Sequence, residues 1–140
     1  MQKFNYNLDY INIFFQPNDY RYRIGEKEQG VFLVRPYSDD IGKFWKFSTE
    51  KVAEESSEEI YKLYLSYKEI QDFVGMDMCR KYLSLGYSSS KYSSFKTRSD
   101  QICEDEFYIE CYNRHGMFED ALVMREEMLV MRDRLAKGMF

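Results

Sequence analysis

Residues 48–86, STEKVAEESSEEIYKLYLSYKEIQDFVGMDMCRKYLSLG, decide the fold class. Val52, Ser56, Ile60, Leu63, Tyr67 and Ile70 recur every three or four residues, which draws one face of a helix of about six turns. Ser48 or Thr49 can cap its start, and Glu50, Glu54 and Glu55 put negative charge where the helix dipole favours it. Asp72 then reads as a fresh N-cap. Phe73, Met76, Cys79 and Leu83 form the apolar face of a second helix, and Gly86 suits the position just past its end. Two helices joined this closely predict a helical hairpin or a sharp corner.

Upstream, residues 1–20 read as an N-terminal arm rich in Asn, Tyr and Phe, in which Tyr10–Phe15 is either a short strand or a docked segment. Residues 21–47 read as a loop followed by a β-hairpin. Val31-Phe-Leu-Val34 is a short apolar run with β-branched and aromatic residues, Pro36 ends it, and Phe44-Trp-Lys-Phe47 is the return strand. Downstream, residues 87–101, YSSSKYSSFKTRSDQ, lack aliphatic side chains and read as a Ser-rich basic loop. A C-terminal helical pair takes residues 102–140, broken near His115-Gly116. Ala121, Met124, Met128, Met131 and Leu135 make a heptad seam there, which either docks on the protein's own core or pairs two copies as a homodimer. The expected fold is therefore α+β and helix-dominated, a small antiparallel hairpin at 31–47 packed on several helices, in one domain spanning 1–140.

Composition narrows the function. The 140 residues are 44% hydrophobic and 18% aromatic, enough for a single core. A net charge of −4 opposes a long phosphate track, so long nucleic acid is not an expected partner. No apolar run is long enough to span a bilayer and the start lacks a signal peptide's apolar core, which leads to the expectation of a soluble, cytoplasmic protein. Cys79, Cys103 and Cys111 form no CxxC pair and fit reduced thiols. His115 is the sole histidine; with Cys111 it supplies only two ligand types, so neither a metal nor any other cofactor is expected. The phosphate-loop, nucleophile-elbow, zincin and dinucleotide signatures are missing from the chain.

The motifs Tyr22-Arg-Ile-Gly25, Glu28-Gln-Gly-Val31, Arg35-Pro-Tyr37, Phe44-Trp-Lys-Phe47, Asp72-Phe-Val-Gly-Met-Asp-Met78, Arg80-Lys81 and Leu85-Gly-Tyr87 resemble those of a widespread family of small bacterial and phage proteins, a domain of unknown function. The resemblance spans about residues 20–95. The family pattern carries an Arg where this chain has Lys46, and a basic run where it has Ser88-Ser-Ser-Lys-Tyr92. An anion site there would be thinner in this member.

These motifs concentrate Arg23, Glu28, Gln29, Arg35, Asp77, Arg80 and Lys81 among Tyr37, Trp45 and Tyr87, with Lys91 and Arg98 on the following basic stretch. Guanidinium groups hold phosphate bidentately and aromatic faces take flat rings. The expected function is non-catalytic binding of a small phosphorylated ligand, a nucleotide, with sequestration of a host signalling nucleotide if the chain is phage-encoded. The competing explanation of the same residues is an internal salt-bridge network. Two other functions stay open: an inhibitor module covering a host protein, and a small enzyme using Glu28 and Asp77 as an acid–base pair. Neither motif holds a histidine, which places the enzyme below the binding module.

Overall fold

The structure is a computed structural model that describes residue 4 and residues 6–138. Among them are five helices: α1 (Tyr37–Gly42), α2 (Glu50–Glu69), α3 (Phe73–Ser90), α4 (Ser93–Glu104) and α5 (Glu106–Ala136). No described residue lies in a strand, so the domain is all-α and the expected α+β fold with a hairpin at 31–47 is overturned. The burial pattern explains the error. Val31 and Val34 are buried while Phe32 is exposed, a spacing of three where a strand's half-buried face would repeat every two residues. The segment folds as successive turns, with Val31 N–H donating to Glu28 O (3.2 Å) and Leu33 N–H to Gly30 O (2.9 Å). Trp45 makes no cross-strand pair. Its indole N–H donates to Tyr82 O on α3 at 3.0 Å, and its ring packs edge-on against Tyr82, Phe32 and Phe47.

α3 is the central element and packs against each of the other helices. Its residues Phe73–Cys79 are all buried, as is the Asp72 cap, so the first two turns of the helix are enclosed on every side rather than on one face. Thr49 Oγ1 accepts from Val52 N–H and Asp72 accepts from Gly75 N–H, which places both helix starts at the expected caps. α2 buries Ala53, Ser56, Ser57, Ile60 and Tyr64; Ser56 and Ile60 belong to the expected stripe, Leu63 and Tyr67 pack half-buried at its edge, and Ile70 is exposed. Gly75 lets the two helices close up: a Cβ there would lie 2.3 Å from the Tyr67 ring.

Residues 87–101 are not a loop. α3 runs unbroken through Gly86 to Ser90, the chain reverses at Lys91, whose φ is 62°, and α4 begins at Ser93. Gly86 is placed by packing, not by termination, because a Cβ there would meet Phe95 of α4 at 2.7 Å. Phe95 and Ile102 supply α4 with its buried anchors. α5 also runs unbroken past Gly116, in place of the expected helical pair. The N-terminal segment is a docked arm: the Phe4, Tyr10 and Phe15 rings stack in sequence and are buried.

Candidate functional site

The polar residues of the Asp72–Lys81 motif point into the domain. The Asp77 carboxylate has no solvent exposure. It accepts from Tyr22 Oη, from Tyr108 Oη (2.6 Å) and from Arg80 Nε (2.8 Å), and Lys81 Nζ lies 3.9 Å away. Burial by itself would raise the carboxyl. The charges of Arg80 and Lys81, with hydrogen bonds from Arg80 and Tyr108, prevail and bring it down to about 2. Asp77 is therefore a fixed anion at neutral pH.

Lys81 is equally buried. Its ammonium donates to Gln29 O (2.8 Å) and Arg23 O (3.4 Å) and sits over the rings of Tyr22 and Phe4. Here burial outweighs the attraction of Asp77 and lowers the group to about 8. The ion pair is thus unequal: Asp77 gains more from its neighbours than burial costs it, and Lys81 does not. A second buried carboxylate, Glu119 of α5, accepts from Ile24 N–H at 2.8 Å and lies 3.2 Å from His115 Nε2, which is itself 2.8 Å from Tyr22 O. Asp72 closes the other end. It accepts from Tyr37 Oη (2.6 Å) and Asn18 N–H (3.2 Å), while Asn18 Oδ1 accepts from Phe73 N–H (2.8 Å). Through these contacts α3 and α5 fasten an arm that has no regular secondary structure of its own before α1.

The remaining expected site residues do not converge on one pocket. Arg23 donates to Tyr20 O, and Arg35 forms an exposed ion pair with Asp39. Glu28 accepts from Ser84 and Ser88 along α3 and makes no recorded bond to Asp77, so the two carboxylates are not held as an acid–base pair. Gln29 Oε1 accepts from Glu26 N–H within the turn. Lys91 lies over the Tyr87 ring, and Arg98 lies over Tyr61 on α2.

Arg80 reaches an open hollow. A cleft of about 380 Å³ is lined by Gly25 and Lys27 of the arm, Arg80 of α3, Cys103 of α4, and Tyr108, Ile109, Tyr112 and Asn113 of α5. Arg80 is fixed in it: Nε binds Asp77 and Nη1 donates to Lys27 O at 3.2 Å. The lining holds two cations, Lys27 and Arg80, and no carboxylate. Beneath it Lys81 and Arg80 share the single charge of Asp77. Sequence reasoning missed Lys27, Cys103, Tyr108, Tyr112 and Asn113 as neighbours of Arg80. No local motif links them, because α4 and α5 fold back over α3 only in the tertiary structure. A larger hollow of about 590 Å³ lies between Asn18, Tyr20 and α5; its one arginine, Arg114, is an exposed side chain paired with an exposed Glu110 and is not fixed against the buried interior as Arg80 is.

The fold and the buried network define a small all-α domain in which an irregular arm is clamped onto a central buried helix. Residues 5–116 match the family described as Domain of unknown function (DUF4385), and the chain belongs to that family. No curated protein and no solved structure matches it. Among the described residues no helix is long and apolar enough to cross a membrane.

Proposed function

We propose that the chain binds a small phosphorylated ligand, a nucleotide, in the cleft between Lys27, Arg80 and α5. The observation that carries this reading is the guanidinium of Arg80, held at the cleft wall by Asp77 and the Lys27 carbonyl, in a lining with two cations and no anion. A pre-positioned guanidinium loses little freedom when it takes a phosphate oxygen. Tyr112, half-buried at the wall, supplies aromatic surface for a flat ring. The ligand is bound without chemical change. Asp77 is saturated with donors and stays ionised, and the lining offers no carboxylate or imidazole to carry a proton. In a phage-encoded chain, such binding would sequester a nucleotide of the host.

A thermal-shift screen of mononucleotides, cyclic dinucleotides and ADP-ribose derivatives tests this. A binder should raise the melting temperature and be recovered chemically intact. Lys27 has φ of 52°, so Lys27→Gly removes the charge without straining the turn. It should weaken binding about tenfold, the value of one charge-assisted contact. The ligand should also protect Cys103 from alkylation in a Cys111→Ser background. If no phosphorylated compound shifts the melting temperature or protects Cys103, the proposal fails.

A further inference from the structure

The family match ends at residue 116, but α5 continues as helix for a further twenty residues, to Ala136. Met117, Met124, Met128, Met131 and Leu135 are each more than half exposed. With Ala121 they step by four, three, four, three and four residues. That is an a/d heptad seam with Ala121, Met128 and Leu135 at a, and Met117, Met124 and Met131 at d. Its first ten residues, Glu106–His115, are seated on the domain through Tyr108, Tyr112 and His115, so the helix starts from a formed nucleus.

The charges flanking the seam say what covers it. The g positions are Asp120, Glu127 and Arg134; the e positions one heptad on from the first two are Arg125 and Arg132, and the one corresponding to Arg134 is the uncharged Met139. In a parallel pair, g of one helix faces e of the next heptad on its mate. Asp120 then meets Arg125 and Glu127 meets Arg132, each twice by symmetry. In an antiparallel pair, e faces e and g faces g: arginine meets arginine at e and Glu127 meets its own copy, against which Asp120 with Arg134 is the one attraction, so the parallel pair has the better charge match. Arg125, Glu127 and Arg132 have no opposite charge three or four residues away on their own helix. Elsewhere on α5 such pairs are used: Arg114 with Glu110, and Lys137 with Asp133 on the outer side.

We infer that the C-terminal half of α5 is a dimerisation element that pairs with a second copy of the chain as a parallel, two-stranded coiled coil through the Met117–Leu135 seam. The inference is independent of the ligand proposed above. A short methionine-rich seam specifies a reversible dimer rather than a permanent one, since methionine packs adaptably.

Sedimentation velocity of the full chain from about 5 to 500 µM tests it, with the dissociation constant as the readout. Wild type should show a monomer–dimer equilibrium. Met128→Glu should weaken it at least tenfold, while Leu129→Ser, outside the seam, should leave it within about twofold. Arg132→Glu should weaken the dimer about three- to tenfold, the scale of two exposed ion pairs reversed. Adding Glu127→Arg to that variant should restore it. All these positions are exposed, and circular dichroism at each variant confirms that the domain stays folded. A chain that is monomeric throughout this range, a dimer indifferent to Met128→Glu, or one that Arg132→Glu tightens as an antiparallel pair would, overturns the inference.

Discussion

Replacing Asp77 by Asn keeps the shape of the side chain and removes its charge, which makes it the sharpest probe of the buried network. In the wild type the carboxyl is held at about 2 against an ordinary value of 3.8. At about 1.4 kcal/mol per pH unit, that difference contributes about 2–3 kcal/mol to stability. Because the folded-state value is depressed, the contribution is present above about pH 4 and is lost as pH falls towards 2. The substitution does more than delete this amount. It leaves the Lys81 ammonium buried without its nearest counter-charge, with only the carbonyls of Gln29 and Arg23, two aromatic rings and the weaker field of the buried Glu119 carboxylate around it. Breaking a buried pair from one side costs about 3–5 kcal/mol. With a urea slope near 2 kcal/mol/M, the unfolding midpoint should drop by about 2 M. The single tryptophan, Trp45, packs on Tyr82 of α3 and reports unfolding by fluorescence. The variant should also lose less stability than wild type between pH 4 and 2. Adding Lys81→Met removes the stranded charge and should recover about 1–2 kcal/mol. A loss below about 1 kcal/mol in the single variant, an acid limb identical to wild type, or strictly additive losses in the double variant would refute the reasoning.

The basic limb tests Lys81 directly. Its folded-state value of about 8 lies below the ordinary 10.5, so the folded chain binds fewer protons than the unfolded one between these values. Between pH 8 and 9.5 this should lift wild-type stability relative to Lys81→Met, by up to about 2 kcal/mol in urea unfolding, while the thiols of Cys79, Cys103 and Cys111, held above their ordinary value by burial, draw both chains down alike. Gly75→Ala should cost about 2–3 kcal/mol in the same assay because its Cβ would lie inside the Tyr67 ring's contact radius, and Tyr67→Leu in the same chain should return part of it. Asp72→Ala removes the cap of α3 and the acceptor for Tyr37 and Asn18; a loss of about 1–3 kcal/mol is expected, with the arm becoming the earliest site of proteolysis.

Local rules were enough for the pieces whose partners lie nearby in the chain. The starts of α2 and α3 at Thr49 and Asp72 follow from a side-chain oxygen two or three residues before the amide it accepts from. Asp77, Arg80 and Lys81 sit at helical spacing, so their mutual pairing is also legible, and their competing explanation as an internal network is what the geometry of Asp77 and Lys81 displays. The same rules misled wherever burial came from afar. Val31-Phe-Leu-Val34 has the composition of a strand, yet it folds as successive turns that bury its two valines on a three-residue spacing. The Ser-rich run at 87–101 has too few apolar residues to announce a helix, yet Phe95, set against Gly86, and Ile102 just past the run anchor α4.

What the sequence determined by itself is the central helical pair, its caps and the charges carried on α3, because hydrogen bonds and side-chain pairs within one or two turns depend only on neighbours in the chain. What only the tertiary structure decided is which of those charges are used up inside and which remain available. Tyr22 and Tyr108, 55 and 31 residues from Asp77, turn that aspartate into a buried anchor. The return of α4 and α5 leaves Arg80 at the wall of a cleft while Lys81, one residue later, is sealed away. A helix rotates successive side chains by about 100°, so adjacent cations face different surroundings, and those surroundings are set by chain segments that no local spacing can locate.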